Sequence, residues 1–321
     1  MCLDCAMDTP APQSVLGDGT PLPPHDDFYR ELTTRNTPLV TPEEQERLRT
    51  ATILIAGCGS VGGAAVEPLV RLGCENLILA EPDGYDVANM NRQSARLQDV
   101  GRNKAAVFAE RMQEINPYAT CEVHDHGITA ENVEDVVSRA DLILDGVDVT
   151  TKAPLLHKVN LHKHAREKQK VVVSGYDIAG LQMLLIYDYG DSGVELMGGK
   201  VKLDEVEKLE PFEFLARVIP FTAIPIEIIP ELERQVRGEG SGFPQLVYAA
   251  NLFGVLAVRA AMDILAGRPV RKRVIVDANA VLRPRSQRPG LEASRLRALL
   301  KLNKQAKALR KGAGGGSELV H

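Results

Sequence analysis

Tryptophan is absent from this 321-residue chain, and aromatic residues make up only 4% of it. The core must therefore be built mainly from aliphatic side chains. The chain also lacks any run of about 18 uncharged apolar residues, the length that a membrane-spanning helix requires. With 44% apolar and 25% charged residues, the composition is typical of a soluble globular protein, and we expect no membrane partner.

Cysteine is also scarce, with five residues in the whole chain. An odd number of cysteines and an N-terminus without an apolar signal segment favour a reducing, cytoplasmic location. Cys2 and Cys5 have the Cys-x-x-Cys spacing but no second pair accompanies them, so we predict no four-ligand zinc site. Cys58, Cys74 and Cys121 are expected to fill apolar space.

The net charge is −5, but charged residues are unevenly distributed along the chain. Residues 283–311 contain ten Lys or Arg and one Glu, which makes this segment strongly basic. Leu296, Leu299 and Leu300 favour a solvated helix that packs by one leucine face. Contact with the phosphates of a nucleic acid is the alternative, although no aromatic residues are interleaved for stacking on single strands.

Short apolar segments alternate with helical segments from residue 52 onwards. We predict strands at 52–56, 77–80, 120–126, 142–145, 171–174, 184–187 and 274–277. We predict helices at 64–72, 104–115, 130–138, 152–168, 245–265 and 291–309. This alternation indicates an α/β fold with a doubly wound, mostly parallel sheet and a Rossmann-like nucleotide-binding half.

The same pattern divides the chain into regions. They are a flexible tail at 1–27, a helical arm at 28–49, one domain at 50–285 with a nucleotide half (50–185) and a less regular substrate half (186–285), and a basic helix with a flexible tail at 286–321. In the arm, Thr41, Pro42 and Glu44 supply an N-cap, a proline at the first helical position and an early acid.

A glycine-rich turn at Gly57, Gly59 and Gly62 follows the first predicted strand and opens a helix. Glycines at these positions let the backbone approach a phosphate, and the helix N-terminus faces that phosphate. Glu81 ends the second strand, where an acid meets a ribose hydroxyl. NAD enzymes and ATP enzymes share this arrangement, so it predicts a nucleotide without choosing between them.

Charged residues downstream of the glycine turn favour ATP. Arg92 and Lys104 would neutralise the phosphates of a triphosphate, and Asp148 would hold Mg²⁺, with Asp145 as the alternative ligand. Asp177, after the fifth strand, either faces the nucleotide or caps a turn.

Histidines contribute less to the expected chemistry. His124 and His126 are two residues apart on a predicted strand and have no obvious third ligand, so we disfavour a metal pair. His157, His162 and His164 lie on a polar predicted helix, where we expect them to be solvated.

Five ordered motifs resemble those of the ThiF/MoeB/HesA adenylyltransferases, relatives of the ubiquitin-activating enzymes. The resemblance covers residues 28–185 and extends more loosely to residue 285. The motifs are Gly57-x-Gly59-x-x-Gly62, Glu81-Pro82-Asp83, Asn89-Met90-Asn91-Arg92-Gln93, Gly101-x-x-Lys104 and Asp145-Gly146-Val147-Asp148.

The resemblance implies a dimeric doubly wound fold and a reaction between ATP·Mg²⁺ and a carboxylate. The carboxylate would attack the α-phosphate, forming an acyl adenylate and releasing pyrophosphate. The nucleotide-binding residues implied are Gly57, Gly59, Gly62, Glu81, Asp83, Asn89 and Gln93. The catalytic residues implied are Arg35, Arg92, Lys104 and Asp148, of which Asp148 is also the metal ligand.

Arg35 matches an arginine that reaches the γ-phosphate from the partner subunit of a homodimer in this family. Glu81 stands where the family more often has Asp. The chain departs further from many members because it has no pair of Cys-x-x-Cys motifs and no cysteine after Cys121. We therefore predict neither a structural zinc nor a thioester intermediate.

The expected substrate is the C-terminal carboxylate of a small carrier protein or peptide. A relative of the tRNA threonylcarbamoyladenosine dehydratases is the nearest alternative, favoured by the basic segment and the missing zinc motif. An NAD-dependent oxidoreductase would leave Arg92, Lys104 and Asp148 without a role. A non-catalytic scaffold would not be expected to keep these phosphate-binding residues.

Overall fold

A seven-stranded sheet forms the centre of this computed structural model, which describes residues 15–239 and 243–314. The strands are β1 Thr52–Ala56, β2 Asn76–Ala80, β3 Thr120–His124, β4 Leu142–Asp145, β5 Val171–Ile178, β6 Leu181–Asp188 and β7 Arg273–Asp277. Their order is β3-β2-β1-β4-β5-β6-β7, in which β1 to β5 are parallel and β6 and β7 are antiparallel to their neighbours. The predicted α/β fold with a mostly parallel sheet is confirmed.

Helices cover both faces of the sheet. They are α1 His25–Thr33, α2 Pro42–Thr50, α3 Gly63–Leu72, α4 Lys104–Ile115, α5 Val133–Arg139, α6 Lys152–Glu167, α7 Pro211–Val218, α8 Ile229–Val236, α9 Val247–Leu265, α10 Ala278–Leu282 and α11 Arg288–Gly314. Alternate residues of β1 serve opposite cores, since Ile53 and Ile55 pack on one face while Leu54 and Ala56 pack on the other. A strand buried on both faces reads as a continuous apolar run, which is why the sequence predicted it.

The strand order places a change of direction beside β1. The chain moves outwards from β1 to β2 and β3, then returns to the other side of β1 with β4 and β5. Loops that leave the carboxyl ends of β1 and β4 therefore diverge and open a crevice, where open α/β sheets bind ligands.

Helix α9 is long and apolar enough to cross a membrane by length and composition, unlike any other helix in the described residues. It packs against α3 and against β5 and β6. A Cβ atom added at Gly254 would lie 2.2 Å from the Ala64 carbonyl oxygen, so glycine allows the two helices to approach closely. Helix α9 therefore serves as a core helix of the fold.

The N-terminal arm begins earlier than the sequence predicted, because α1 starts at His25, inside the expected tail. Residues 1–14 of that tail lie outside the described part. The predicted start of α2 is confirmed, since Thr41 and Glu44 form a reciprocal capping box. Tyr29 donates a hydrogen bond of 2.9 Å to the Gly73 carbonyl, which fixes α1 at the C-terminal end of α3.

The segment between β6 and α9 contains the short helices α7 and α8 joined by 3₁₀ turns, where the sequence predicted irregular chain. Helix α11 packs on α8. Leu299 and Leu302 are buried, while Leu296 and Leu300 are 55% and 57% exposed. The predicted leucine face was therefore wrong in two of three positions, because the buried row follows the spacing 299 and 302.

Candidate active site

The glycine turn lies at the carboxyl end of β1, beside the loop that follows β4. Gly57 has a φ of +83°, and a Cβ there would lie 2.6 Å from the Gly146 carbonyl carbon. A Cβ at Gly62 would lie 2.0 Å from the Gly57 carbonyl oxygen, whereas one at Gly59 would meet only Gln93 Nε2 at 3.7 Å. Gly57 and Gly62 thus close the turn, and Gly59 leaves free space on the side where a ligand would approach.

Glu81 links the glycine turn to the next loop. Its carboxylate accepts hydrogen bonds from the backbone nitrogens of Cys58 (2.6 Å) and Asp83 (3.0 Å). Lys104 Nζ lies 3.7 Å from Glu81 Oε1 and 3.4 Å from Asp83 Oδ2. Burial raises the pKa of Glu81, and the positive charge of Lys104 opposes part of that rise. Glu81 therefore shapes the pocket, while its ribose contact stays a prediction.

Three side chains of the Asn89–Gln93 motif line the same pocket. The Asn89 carbonyl oxygen Oδ1 accepts from the Asp86 backbone nitrogen at 3.0 Å, which orders this loop. Arg92 donates through Nη1 to the Ala88 carbonyl at 3.0 Å. Arg92 Nε and Gln93 Oε1 are buried and have no hydrogen-bond partner within the described residues. Buried polar atoms without partners require an explanation, and a bound ligand supplies one.

Asp148 lies in the loop after β4 and is exposed. Its carboxylate accepts from the backbone nitrogen of Thr150 (3.0 Å) and from the Thr150 hydroxyl (2.6 Å). These contacts orient the group without neutralising it. Asp145 is not available as a metal ligand, because it is fully buried below the loop.

A buried polar cluster surrounds Asp145, and the sequence did not predict it. Asp145 Oδ2 lies 2.6 Å from Lys158 Nζ, 3.0 Å from His162 Nε2 and 2.6 Å from the Ser174 hydroxyl, which donates to it. Burial alone would raise the pKa of Asp145, but Lys158 and His162 outweigh it and the net pKa is lowered. His162 Nδ1 lies 2.8 Å from the Tyr189 hydroxyl.

The expectation of a solvated His162 was therefore wrong. The residue is completely buried, and burial lowers its pKa. Lys158 Nζ also lies 3.5 Å from the Val147 carbonyl, next to Asp148. The cluster thus ties the loop that carries Asp148 to α6 and β5.

Asp177 lies on β5 at the same edge of the sheet and lines the pocket. Both of its carboxylate oxygens are buried and have no hydrogen-bond partner in the described chain. Burial raises the pKa of Asp177 to about 7, against the opposing charge of Arg92. Of the two expectations for this residue, the structure supports the one in which it faces the site.

One cavity of about 700 Å³ brings these residues together. This volume lies within the range of roughly 300–1,000 Å³ that small-molecule sites occupy. The predicted site residues that line it are Gly57, Gly59, Glu81, Asp83, Asn89, Arg92, Gln93, Lys104 and Asp148. Gly62 lies behind the turn, where it acts on backbone packing.

Arg35 does not join this cavity. It lies in an exposed 3₁₀ turn after α1, and the described residues provide it with no ion pair. The neighbouring Asn36 donates to the Leu72 carbonyl at the C-terminal end of α3. Because α3 has ten residues and rises about 1.5 Å per residue, the arm docks about 15 Å from the glycine turn of its own chain.

The remaining candidates behave as structural residues. Cys58 and Cys74 are buried, and Cys121 is partly buried. His124 ends β3 and pairs with Glu122 at 2.7 Å, while His126 lies beyond the strand. No cluster of three His, Cys, Asp or Glu side chains suited to a metal occurs within residues 15–239 and 243–314. Cys2 and Cys5 lie outside the described residues.

The chain matches the ThiF family over residues 33–274. It therefore belongs to the ThiF family, as the ordered motifs predicted. The tRNA threonylcarbamoyladenosine dehydratase of Haemophilus influenzae is 40% identical over 121 residues, which are 37% of this chain and 46% of that protein. The sulfur carrier protein adenylyltransferase of Thermus thermophilus is 33% identical over 124 residues, 38% of this chain and 45% of that protein.

The matched segments thus span less than half the length of these two curated relatives. The fold is also that of E. coli tRNA N6-threonylcarbamoyladenosine dehydratase, TcdA, solved in complex with ATP. The two superpose with a TM-score of 0.54 at 23% identity, covering 75% of this chain and 96% of TcdA.

Proposed function

We propose that this protein activates a carboxylate with ATP, forming an acyl adenylate. A carboxylate oxygen would attack the α-phosphorus, the bond to the β-phosphate oxygen would break, and pyrophosphate would leave. The observation that carries this proposal is the single cavity in which the open face at Gly59 meets Arg92, Lys104 and Asp148. Two cationic side chains beside a glycine turn suit a triphosphate, whose charge exceeds what backbone amides neutralise.

The residues present also fit Mg²⁺, because Asp148 offers an exposed carboxylate at the pocket mouth and Mg²⁺ binds through one or two carboxylates plus substrate phosphates. When bound, the ion would neutralise charge on the phosphates. Arg92 and Lys104 would hold the phosphate oxygens, and Glu81 would keep the glycine turn and Lys104 in place. Asn89 and Gln93 would complete the nucleotide site.

Arg35 would act on the partner's nucleotide within a homodimer. Support comes from its position, since the arm packs at the far end of α3 and the side chain is exposed. A cation delivered in trans would stabilise charge on the leaving phosphates. Mixing inactive Arg35→Ala and Arg92→Ala proteins should restore about a quarter of wild-type activity, because random exchange rebuilds one complete site in half of the dimers. No recovery would contradict action in trans.

The carboxylate would belong to the C-terminus of a peptide or small carrier protein, and transfer would proceed without a thioester. The Thermus thermophilus relative, a sulfur carrier protein adenylyltransferase, supports a protein substrate. A tRNA substrate is the second candidate, favoured by the 40% identity to a tRNA threonylcarbamoyladenosine dehydratase. Ion pairs such as that of Lys301 with Glu233 neutralise part of the positive charge of α11. Less charge is then free to bind the phosphates of a tRNA, so a peptide substrate is favoured.

ATP–pyrophosphate exchange tests the proposal with peptides, carrier proteins and total tRNA as candidate substrates. Arg92→Ala should lower the exchange rate by roughly 10²–10³-fold, because it removes preorganised charge from the site. Arg96→Ala is the matched control, since Arg96 is exposed on the same loop and does not line the cavity. Equal rates in the two variants would contradict the assignment of Arg92.

A further inference from the structure

The cavity that contains the glycine turn also has an apolar part. Its wall is formed by α7, the 3₁₀ turns that follow it and the chain before α9. We call this part of the cavity the apolar chamber, lined by Phe212, Leu215, Ile219, Phe221, Ile224 and Phe243. These side chains and the residues of the glycine turn line the same cavity, so a molecule in the chamber would reach the proposed adenylation centre.

Phenylalanine residues are concentrated at this chamber in a chain that has few of them. The whole sequence contains seven Phe, and three of these line the chamber. Phe212 and Phe221 remain 48% and 40% exposed although they line the cavity. Apolar surface that stays open inside a cavity is characteristic of a ligand-binding wall.

Asp177 provides a polar group near the site of reaction. It lies near the end of β5, the strand that pairs with β4, and it interacts electrostatically with Arg92. Because neither of its buried carboxylate oxygens has a partner in the described residues, the group can accept a hydrogen bond from a ligand. A buried acceptor left unsatisfied costs free energy, so it favours ligands that donate to it.

We propose that the activated carboxylate is that of an α-amino acid unit with a large apolar side chain, either free or at the C-terminus of a peptide. This inference rests on the proposed adenylation reaction. The α-nitrogen would donate to Asp177, the side chain would fill the apolar chamber, and the carboxylate would point to the nucleotide. A Gly-Gly terminus would supply the N–H group but leave the chamber empty.

Initial rates of ATP–pyrophosphate exchange with matched substrates test both contacts. The substrates are Ala-Ala-Leu, Ala-Ala-Phe, Ala-Gly-Gly, free Leu, free Phe and 4-methylpentanoate, which is leucine without its nitrogen. We expect kcat/KM for Ala-Ala-Leu or free Leu to exceed that for Ala-Gly-Gly by at least about 10-fold, since one methylene in an apolar pocket changes discrimination by roughly 10–200-fold. A comparison of the peptides with the free amino acids shows whether the substrate is a peptide or a free amino acid.

Two variants test the apolar chamber and Asp177 independently. Ala216→Trp would fill the chamber, because Ala216 lines the cavity, and should abolish the preference for Leu over Gly. Ala130→Trp, at an exposed turn position that does not line the cavity, should retain the preference. Asp177→Ala should lower kcat/KM for the leucine substrate by about 100-fold or more, because a site built for an N–H group loses its acceptor, and should leave 4-methylpentanoate unchanged.

Ratios between substrates remain informative if a variant is partly unfolded, because unfolding lowers both rates equally. Exchange that is faster with Ala-Gly-Gly than with the leucine substrates would overturn this inference while leaving adenylation intact. An equal effect of Asp177→Ala on leucine and 4-methylpentanoate would also overturn it. No exchange with any carboxylate, including carrier proteins and tRNA, would instead contradict the proposed function.

Discussion

Replacing Lys158 by Met should destabilise the fold strongly, although the residue lies outside the cavity. Lys158 and Asp145 both have fully buried side chains, and Lys158 Nζ lies 2.6 Å from Asp145 Oδ2. The variant keeps the apolar stem but leaves the Asp145 carboxylate without its cation. His162 and the Ser174 hydroxyl remain as partners, but neither is a permanent positive charge.

The magnitude follows from the complete burial of the pair. Removing one partner of a buried ion pair costs about 3–5 kcal/mol, a large part of the 5–15 kcal/mol that typically stabilises a domain. With a urea m-value of about 3 kcal/mol per M, the unfolding midpoint should fall by about 1 M or more. Changing Asp145 to Asn in the same protein should recover part of the loss, because no unpaired charge then stays buried.

Urea unfolding followed by circular dichroism measures this effect. Lys163→Met is the matched control, since Lys163 lies on the same helix, is 43% exposed and has Glu167 as an i,i+4 partner at 3.9 Å. Surface pairs of this kind contribute at most about 1 kcal/mol. A Lys158→Met protein that unfolds within about 0.5 kcal/mol of the Lys163→Met protein would refute the buried-charge argument.

Three further predictions concern the glycine turn and two buried titratable groups. Gly62→Ala should prevent stable folding, because its Cβ would lie 2.0 Å from a carbonyl oxygen, whereas Gly59→Ala should fold normally and lose ATP affinity by calorimetry. Burial lowers the pKa of His162. Its contribution to the free energy of unfolding is therefore fully present above the unfolded-state pKa near 6.5 and is lost as the pH falls below that value. A urea unfolding midpoint that is independent of pH between 7 and 5 would contradict this. Burial raises the pKa of Asp177 to about 7, so Asp177→Asn should raise the melting temperature at pH 8.5 but not at pH 4, and equal shifts at both pH values would be inconsistent.

The sheet was predictable because each central strand is buried on both faces and therefore reads as an apolar run between helical segments. β1, β2 and β4 were predicted within one residue for this reason. The glycine turn was equally predictable, since the close contacts at Gly57 and Gly62 leave no room for a Cβ atom and therefore require glycine. The ordered motifs then led to the ThiF family, which the comparison confirmed.

The buried cluster could not be predicted, because Lys158 and His162 lie on a helix whose sequence is polar on several sides. Their burial depends on Asp145 at the end of β4, a contact between distant segments. The spacing of four residues from Lys158 to His162 was the available signal, since it places both on one helix face. The chamber wall was equally hidden, because α7 and the following turns have no regular strand or helix period over their whole length.

Isotope transfer from the carboxylate to AMP tests the central claim most directly. Ala-Ala-Leu labelled with ¹⁸O in its terminal carboxylate would be incubated with the protein, ATP, Mg²⁺ and hydroxylamine as acceptor, and the AMP analysed by mass spectrometry. Attack of a carboxylate oxygen on the α-phosphorus predicts AMP that carries one ¹⁸O atom, together with pyrophosphate. Formation of ADP with ¹⁸O in inorganic phosphate, or of AMP without label, would contradict the account.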